Sequence, residues 1–291
     1  MRTLLIILVL LAACAPPEEE ADEGLDLAPS LRPSDTVLPF VVGEPTDSFL
    51  GRNNPTQAAL AAEGELSENP TIQALPTSPS VPVQIFANDS QLLMLDYYGG
   101  LTNTSPVIFL YHDDDETGAS WDAFASQLQT RGYHVIVPDI RGYGSTGGEV
   151  DWEMAVQDVQ MMVNNLSVLG RTAAGAPVAM VGVGQGANLA LVGCANVSVC
   201  RSAVAVSPSD SVLDVDRAVQ ILSNRSVLLV SADDDTESAT TANRLNSLHR
   251  GEHEWQRYSS GGRAGELFGN QPGLTQQIIE WLLRNVELPA T

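Results

Sequence analysis

Apolar residues in this chain fall into short unbroken runs, separated by stretches in which they recur every three or four positions. Val83-Gln-Ile-Phe-Ala87 and Gln91-Leu-Leu-Met-Leu-Asp-Tyr-Tyr98 flank the polar Asn88-Asp89-Ser90 and predict a two-stranded hairpin. Pro106–Tyr111, His134–Val137, Pro177–Val181, Ala203–Val206 and Val227–Ser231 read as buried strands, and Glu254–Tyr258 as a last, more polar one. The intervening pattern is helical. Trp121, Phe124 and Leu128 share one face of a helix closed by Gly132. Trp152, Ala155, Val156, Val159, Val163 and Leu166 form a second stripe, capped by Asp151. A helix is expected around Val212–Leu222, a polar one after Ser231, and a final amphipathic one through Leu274, Ile278, Trp281 and Leu282, with Pro272 in its first turn. Apolar strands alternating with helices specify an α/β fold. The central sheet should hold about eight mostly parallel strands, with helices on both faces and the leading hairpin as an antiparallel edge.

The rest is organised around Val178–Leu191, which predicts a buried strand, a sharp glycine turn and the start of a helix. This is the layout of a nucleophile elbow, in which Gly-x-Ser-x-Gly lifts a serine above the sheet. Here the turn is Gly182-Val183-Gly184-Gln185-Gly186, with glycine at the serine position. A dinucleotide turn would need its third glycine one residue later, and a phosphate loop would need a lysine, which the chain lacks.

The net charge of −22, with arginine as every basic residue, disfavours nucleic acid and anionic headgroups as partners and favours solubility. At 291 residues and 44% hydrophobic, the chain is long enough for a substantial core. Met1-Arg-Thr3, the apolar run Leu4–Leu11 and Ala12-Ala13-Cys14 predict a secretory signal, too short to span a bilayer. Leu11-Ala12-Ala13-Cys14 resembles the bacterial lipobox. That resemblance implies cleavage before Cys14, acylation of its thiol, and an extracytoplasmic protein anchored to a membrane, the outer one if the cell has it. Residues 1–13 are then the signal, 14–82 an acidic, proline-rich tether expected to stay disordered, and 83–287 the folded domain.

From Val83 to Val286 the chain resembles the α/β-hydrolase superfamily, most closely its dienelactone-hydrolase-like branch. Five landmarks carry the likeness in order: His112-Asp113 for the His-Gly turn, Pro138-Asp-Ile-Arg-Gly-Tyr-Gly-Ser145 for Asp-x-Arg-Gly-x-Gly-x-Ser, the glycine elbow, Ser207-Pro208, and Arg263-Ala-Gly-Glu-Leu-Phe268 for His-Gly-x-Asp-Leu-Phe. The family's Ser–acid–His order falls on Gly184, Asp235 within Asp233–Asp235, and Arg263. Glycine has no nucleophile and arginine stays protonated, so the triad is degenerate. The resemblance places an oxyanion hole at the N–H groups of Gln185 and Asp113, and it predicts an Arg263–Asp235 ion pair in place of the His–acid pair.

The resemblance with a broken triad implies no enzyme activity. The expectation is a lipid-anchored pseudoenzyme with a binding or assembly role at the cell envelope, towards an unidentified small molecule or protein. The alternatives are an active ester hydrolase with a displaced nucleophile (Ser207, Ser145 or Ser231, with His112 as base) and a scaffold without ligand. No cofactor or metal is expected. Asp113–Asp115 and Asp233–Asp235 lack calcium-loop spacing and read as an acidic rim. Cys194 and Cys200 could pair outside the cytoplasm or stay as two buried thiols.

Overall fold

The computed structural model describes residues 79–169 and 172–289; the signal, Cys14 and the tether up to residue 78 lie outside the described residues. Eight strands form one sheet in the order β1-β2-β4-β3-β5-β6-β7-β8. They are β1 (Val81–Phe86), β2 (Leu92–Tyr98), β3 (Val107–Tyr111), β4 (His134–Pro138), β5 (Val178–Val183), β6 (Cys200–Val206), β7 (Ser226–Ala232) and β8 (His253–Tyr258). The β1–β2 and β2–β4 pairs are antiparallel and the others parallel. The sequence pattern thus predicted both the sheet and its hairpin edge.

The central strands are apolar throughout because both faces are covered. Along β3, Val107, Phe109 and Tyr111 enter one core, while Ile108 and Leu110 enter the other. On the first face lie α2 (Trp152–Asn164), with α3 (Leu166–Leu169) after it, α4 (Gln185–Asn196), α5 (Val215–Ile221) and α6 (Thr236–Leu248). On the second lie α1 (Asp122–Thr130), which follows a 3-10 turn at Gly118–Trp121, then α7 (Gly265–Asn270) and α8 (Leu274–Asn285). Trp281 of α8 is fully covered there, and its indole N–H donates to Ser202 Oγ at 2.9 Å. The apolar stripes did not predict α3 or α7. Each is a short turn, and α7 buries only Leu267, too little for a helical period to register.

The chain turns in opposite directions after β3: β4 lies on one side of it and β5 on the other. The loops leaving β3 and β5 therefore diverge at the carboxyl end of the sheet, where such folds open a crevice. The loop after β4 is held by two side chains, the half-buried Asp139 and the buried Arg141. Asp139 accepts from Gly118 N at 2.8 Å and Ser145 N at 2.6 Å. Arg141 bonds Asp158 of α2 through Nε and Nη2, each at 2.7 Å, and reaches Asp89 in the hairpin turn at 2.8 Å through Nη1. A disulfide joins Cys194 in α4 to Cys200 at the start of β6, with S–S 2.00 Å.

Arg141→Met would leave the Asp158 carboxylate buried without its cation. The variant is expected to lose about 3–5 kcal/mol in denaturant unfolding. Arg284→Ala, which breaks the exposed Arg284–Glu254 pair and removes the guanidinium lying 5.6 Å over the Trp281 ring, should lose less, about 1 kcal/mol, in the same assay.

Candidate functional site

The turn between β5 and α4 has the backbone of an elbow. Gly184 sits at φ +58°, ψ −121°, a conformation that strains any residue bearing a Cβ. The flanking glycines serve close packing. A Cβ on Gly182 would lie 2.0 Å from the Gly186 carbonyl oxygen, and one on Gly186 would lie 2.3 Å from that of His112. The strand, the helix and the β3 loop therefore approach one another as a serine nucleophile would require.

The space above Gly184 is occupied by Asp113. A Cβ on Gly184 would lie 2.0 Å from the Asp113 carboxyl carbon. Asp113 Oδ1 accepts hydrogen bonds from Gln185 N at 2.7 Å and Asp114 N at 2.9 Å. Two converging backbone donors at these distances are the geometry of an oxyanion hole. This corrects the sequence expectation, because the second donor is Asp114 N–H and Asp113 enters the hole as its occupant. The Gln185 side chain braces the arrangement by donating to Asp114 Oδ2 at 2.7 Å. Asp113 is only 3% exposed, and burial raises its pKa above the ordinary carboxylate value despite the two N–H donors.

The predicted Arg263–Asp235 ion pair does not form. Arg263, half-exposed, directs Nη2 towards Asp113 Oδ2 at 3.8 Å. Asp235 caps α6 instead, its Oδ1 accepting from Ser238 N at 3.3 Å. Its Oδ2 is buried with no hydrogen-bond partner among the described residues, and burial raises its pKa. The arginine side chain is longer than the histidine it replaces, and the charge it meets is the one at the centre of the site. Neighbouring acids have other tasks: Asp233 pairs with Arg257, and Asp234 accepts from Gly261 N at 3.0 Å and Gly262 N at 3.2 Å, which lowers its pKa. Ala264, where the family motif has glycine, sits at φ +51°, ψ −123°, and its N–H is held by Ser207 Oγ at 2.9 Å.

Of the candidates for a displaced nucleophile, His112, Ser231 and Ser207 have their side chains engaged. His112 is fully buried; Nδ1–H donates to the Asp113 carbonyl at 2.7 Å, and Nε2 accepts from Ile140 N at 3.0 Å. Burial lowers its pKa, and neither ring nitrogen remains free to take a proton. Ser231 is buried and accepts from Trp255 Nε1 at 2.9 Å. Ser207 is spent on Ala264, and Ser145 is exposed, its N–H given to Asp139. The other histidines lie towards the amino ends of the parallel strands: His134 opens β4, His253 opens β8, and His249 packs edge-on to His253. Carboxylate oxygens of Asp113, Asp114 and Asp115 lie within 4.8 Å of one another, but the central one, Asp113, is already bound by backbone N–H groups.

Residues 107–284 match the alpha/beta hydrolase family. The chain belongs to that family. Among solved structures, this α/β-hydrolase chain is similar to the hydrolase GrgF from Penicillium, with TM-score 0.63 and 13% identity, covering 72% of this chain and 99% of the other. Dienelactone hydrolase from Anabaena variabilis gives TM-score 0.60 and 14% identity over 72% and 98%. An esterase of Pyrococcus furiosus gives 0.58 and 16% over 76% and 95%. At these identities the likeness shows the fold. A monoglyceride lipase homolog of Monkeypox virus is 25% identical over 129 residues, 43% of this chain and 46% of its own length, so the match spans about half of that relative.

Because the folded protein holds a proton on Asp113 more tightly than the unfolded chain does, this carboxyl's contribution to stability should grow as pH falls from neutrality towards 3.8. Asn at 113 keeps an acceptor and does not titrate. The stability difference between wild type and Asp113→Asn, measured by urea unfolding across that range, should therefore move in favour of wild type at the acid end.

Proposed function

We propose that this α/β-hydrolase is a catalytically inactive member of its family, anchored through lipidated Cys14 and acting by binding or assembly at the cell envelope. One observation carries the reading: Asp113 occupies the oxyanion hole above a glycine that replaces the nucleophile. A fixed carboxylate at that point excludes the carbonyl oxygen of a substrate and places negative charge where the transition state would develop it. The acid position, Asp235, has no imidazole to orient, and its second oxygen stays without a partner. The competing reading, an active ester hydrolase with a displaced nucleophile, draws on relatives named as lipase and esterase. It requires an activated serine, and the three serines near the strand ends have no free base beside them.

Wild-type protein should release no p-nitrophenol from short acyl esters above the buffer rate and should not label with a fluorophosphonate. Clear turnover abolished by replacing one serine would overturn the inactive reading. Gly184→Ser alone should stay inactive, since its side chain collides with Asp113 and lacks a base. Gly184→Ser with Asp113→Gly and Arg263→His clears the hole and restores all three roles, so measurable hydrolysis is expected only from that combination. The anchor has its own test: Cys14→Ser should move the protein from the membrane to the soluble fraction, and a wild-type protein recovered soluble and unacylated would reject it.

A further inference from the structure

The sheet ends on two open strands, β1 and β8, and they differ. β8 carries Glu254 and Arg257, paired with Arg284 and Asp233, and charges of this kind guard an edge against a further strand. β1, Val81-Pro-Val-Gln-Ile-Phe86, carries no charge in a chain of net charge −22. The direction of its hydrogen bonding follows from β2. Ala87 N–H donates to the Gln91 carbonyl at 2.8 Å, and bonded and non-bonded pairs alternate along an antiparallel ladder, so Val81, Val83 and Ile85 direct their backbone groups to β2. Met94, opposite Gln84, agrees: its N–H goes to Thr146 Oγ1 and its carbonyl accepts from Asp139 N, both in the loop after β4 and away from β1. The backbone groups of Pro82, Gln84 and Phe86 therefore point out of the sheet, and no hydrogen bond among the described residues engages them. Pro82 has no N–H to leave unpaired there. Phe86, 66% exposed, is the most exposed large apolar side chain among the described residues, and Val81 is 54% exposed.

Open N–H and C=O groups on an uncharged, apolar edge are completed by another strand. The occupant that fits is a second copy of this chain. Two such copies repel over most of their surface, and at β1 they bring no charge together. The strand is also complementary to itself. With Ile85 opposite its own counterpart on a two-fold axis, Gln84 of each copy faces Phe86 of the other, and every outward N–H and C=O of these two residues is bonded. The two Phe86 side chains then lie diagonally across the pair, within reach of each other. A pairing centred on Gln84 would set the Phe86 carbonyl against Pro82, which cannot donate. We propose that two copies pair antiparallel through β1 into one continuous sheet, an isologous contact centred on Ile85. As the contact of the assembly role proposed above, it rests on that reading.

Sedimentation equilibrium of the full chain should show a reversible monomer–dimer equilibrium. The dimer should tighten as salt is raised, because screening weakens the repulsion between two acidic copies. Gln84→Pro removes an outward N–H and no bond to β2; it should weaken the dimer about tenfold or more. Phe86→Asp, at an exposed position, adds like charges to the contact; it should weaken the dimer as well, and it carries the test if Gln84→Pro does not fold. Ile85→Cys should yield a disulfide-linked dimer on oxidation, since directly opposite, non-bonded residues of an antiparallel pair lie within disulfide range. A chain monomeric at every concentration, a dimer weakened by neither Gln84→Pro nor Phe86→Asp, or a dimer that Ile85→Cys does not cross-link would overturn the proposal. Ester hydrolysis by the wild type would instead remove the inactive reading and leave these dimer measurements unchanged.

Discussion

Asp113 Oδ1 is bound by the N–H groups of Gln185 and Asp114, directly over a residue that has no side chain. Each part of the site depends on that contact. It satisfies two backbone donors that would otherwise face the crevice unpaired, one of them at the start of α4. It needs glycine at 184, because a Cβ there and the carboxyl group cannot share the space. It also sets a buried negative charge to which Arg263 is drawn in preference to Asp235. Against the family pattern, two exchanges at facing positions are reciprocal: the side chain missing from 184 is matched by one present at 113, where the family motif has glycine.

The surrounding frame explains why such an exchange leaves the fold intact. Gly182 and Gly186 still bring β5, α4 and the β3 loop within contact distance, and Gly184 still has the elbow's backbone angles. A nucleophile held at φ +58° on a Cβ-bearing residue would store strain, which glycine removes. Glycine at 184 with the Asp113 carboxylate above it thus leaves this turn unstrained and its two backbone donors satisfied. The neighbouring cleft, lined by Glu116, Trp121, Phe124 and Phe268 among others, behaves differently. Its aromatic walls are well packed, but the buried Trp121 Nε1–H and the half-buried Glu116 carboxylate have no hydrogen-bond partner among the described residues.

Much of this was legible in the sequence, and the parts that were share a cause. Unbroken runs such as Pro106–Tyr111 record burial on both sides of a parallel strand, and stripes such as Trp152–Leu166 record one buried helix face. Both are local consequences of where neighbouring side chains point. The glycine spacing marked the elbow, and Gly184 itself declared the missing nucleophile. Short elements such as α7, with Leu267 as their only buried residue, left no period to read.

The tertiary structure alone decided which groups meet at the elbow. Asp113 and Gln185 are 72 positions apart and become neighbours because β5 inserts next to β3 on the side away from β4. No local pattern encodes that contact; in sequence, Asp113 is one of three consecutive aspartates, and only packing separates the one in the hole from the two beside it. The partner of Arg263 was equally undetermined, since a long flexible cation settles on whichever buried charge the fold brings within reach. The sequence determined the strands, the longer helices and the glycine at the serine position. The strand order determined that a carboxylate from another loop would fill the space the serine left.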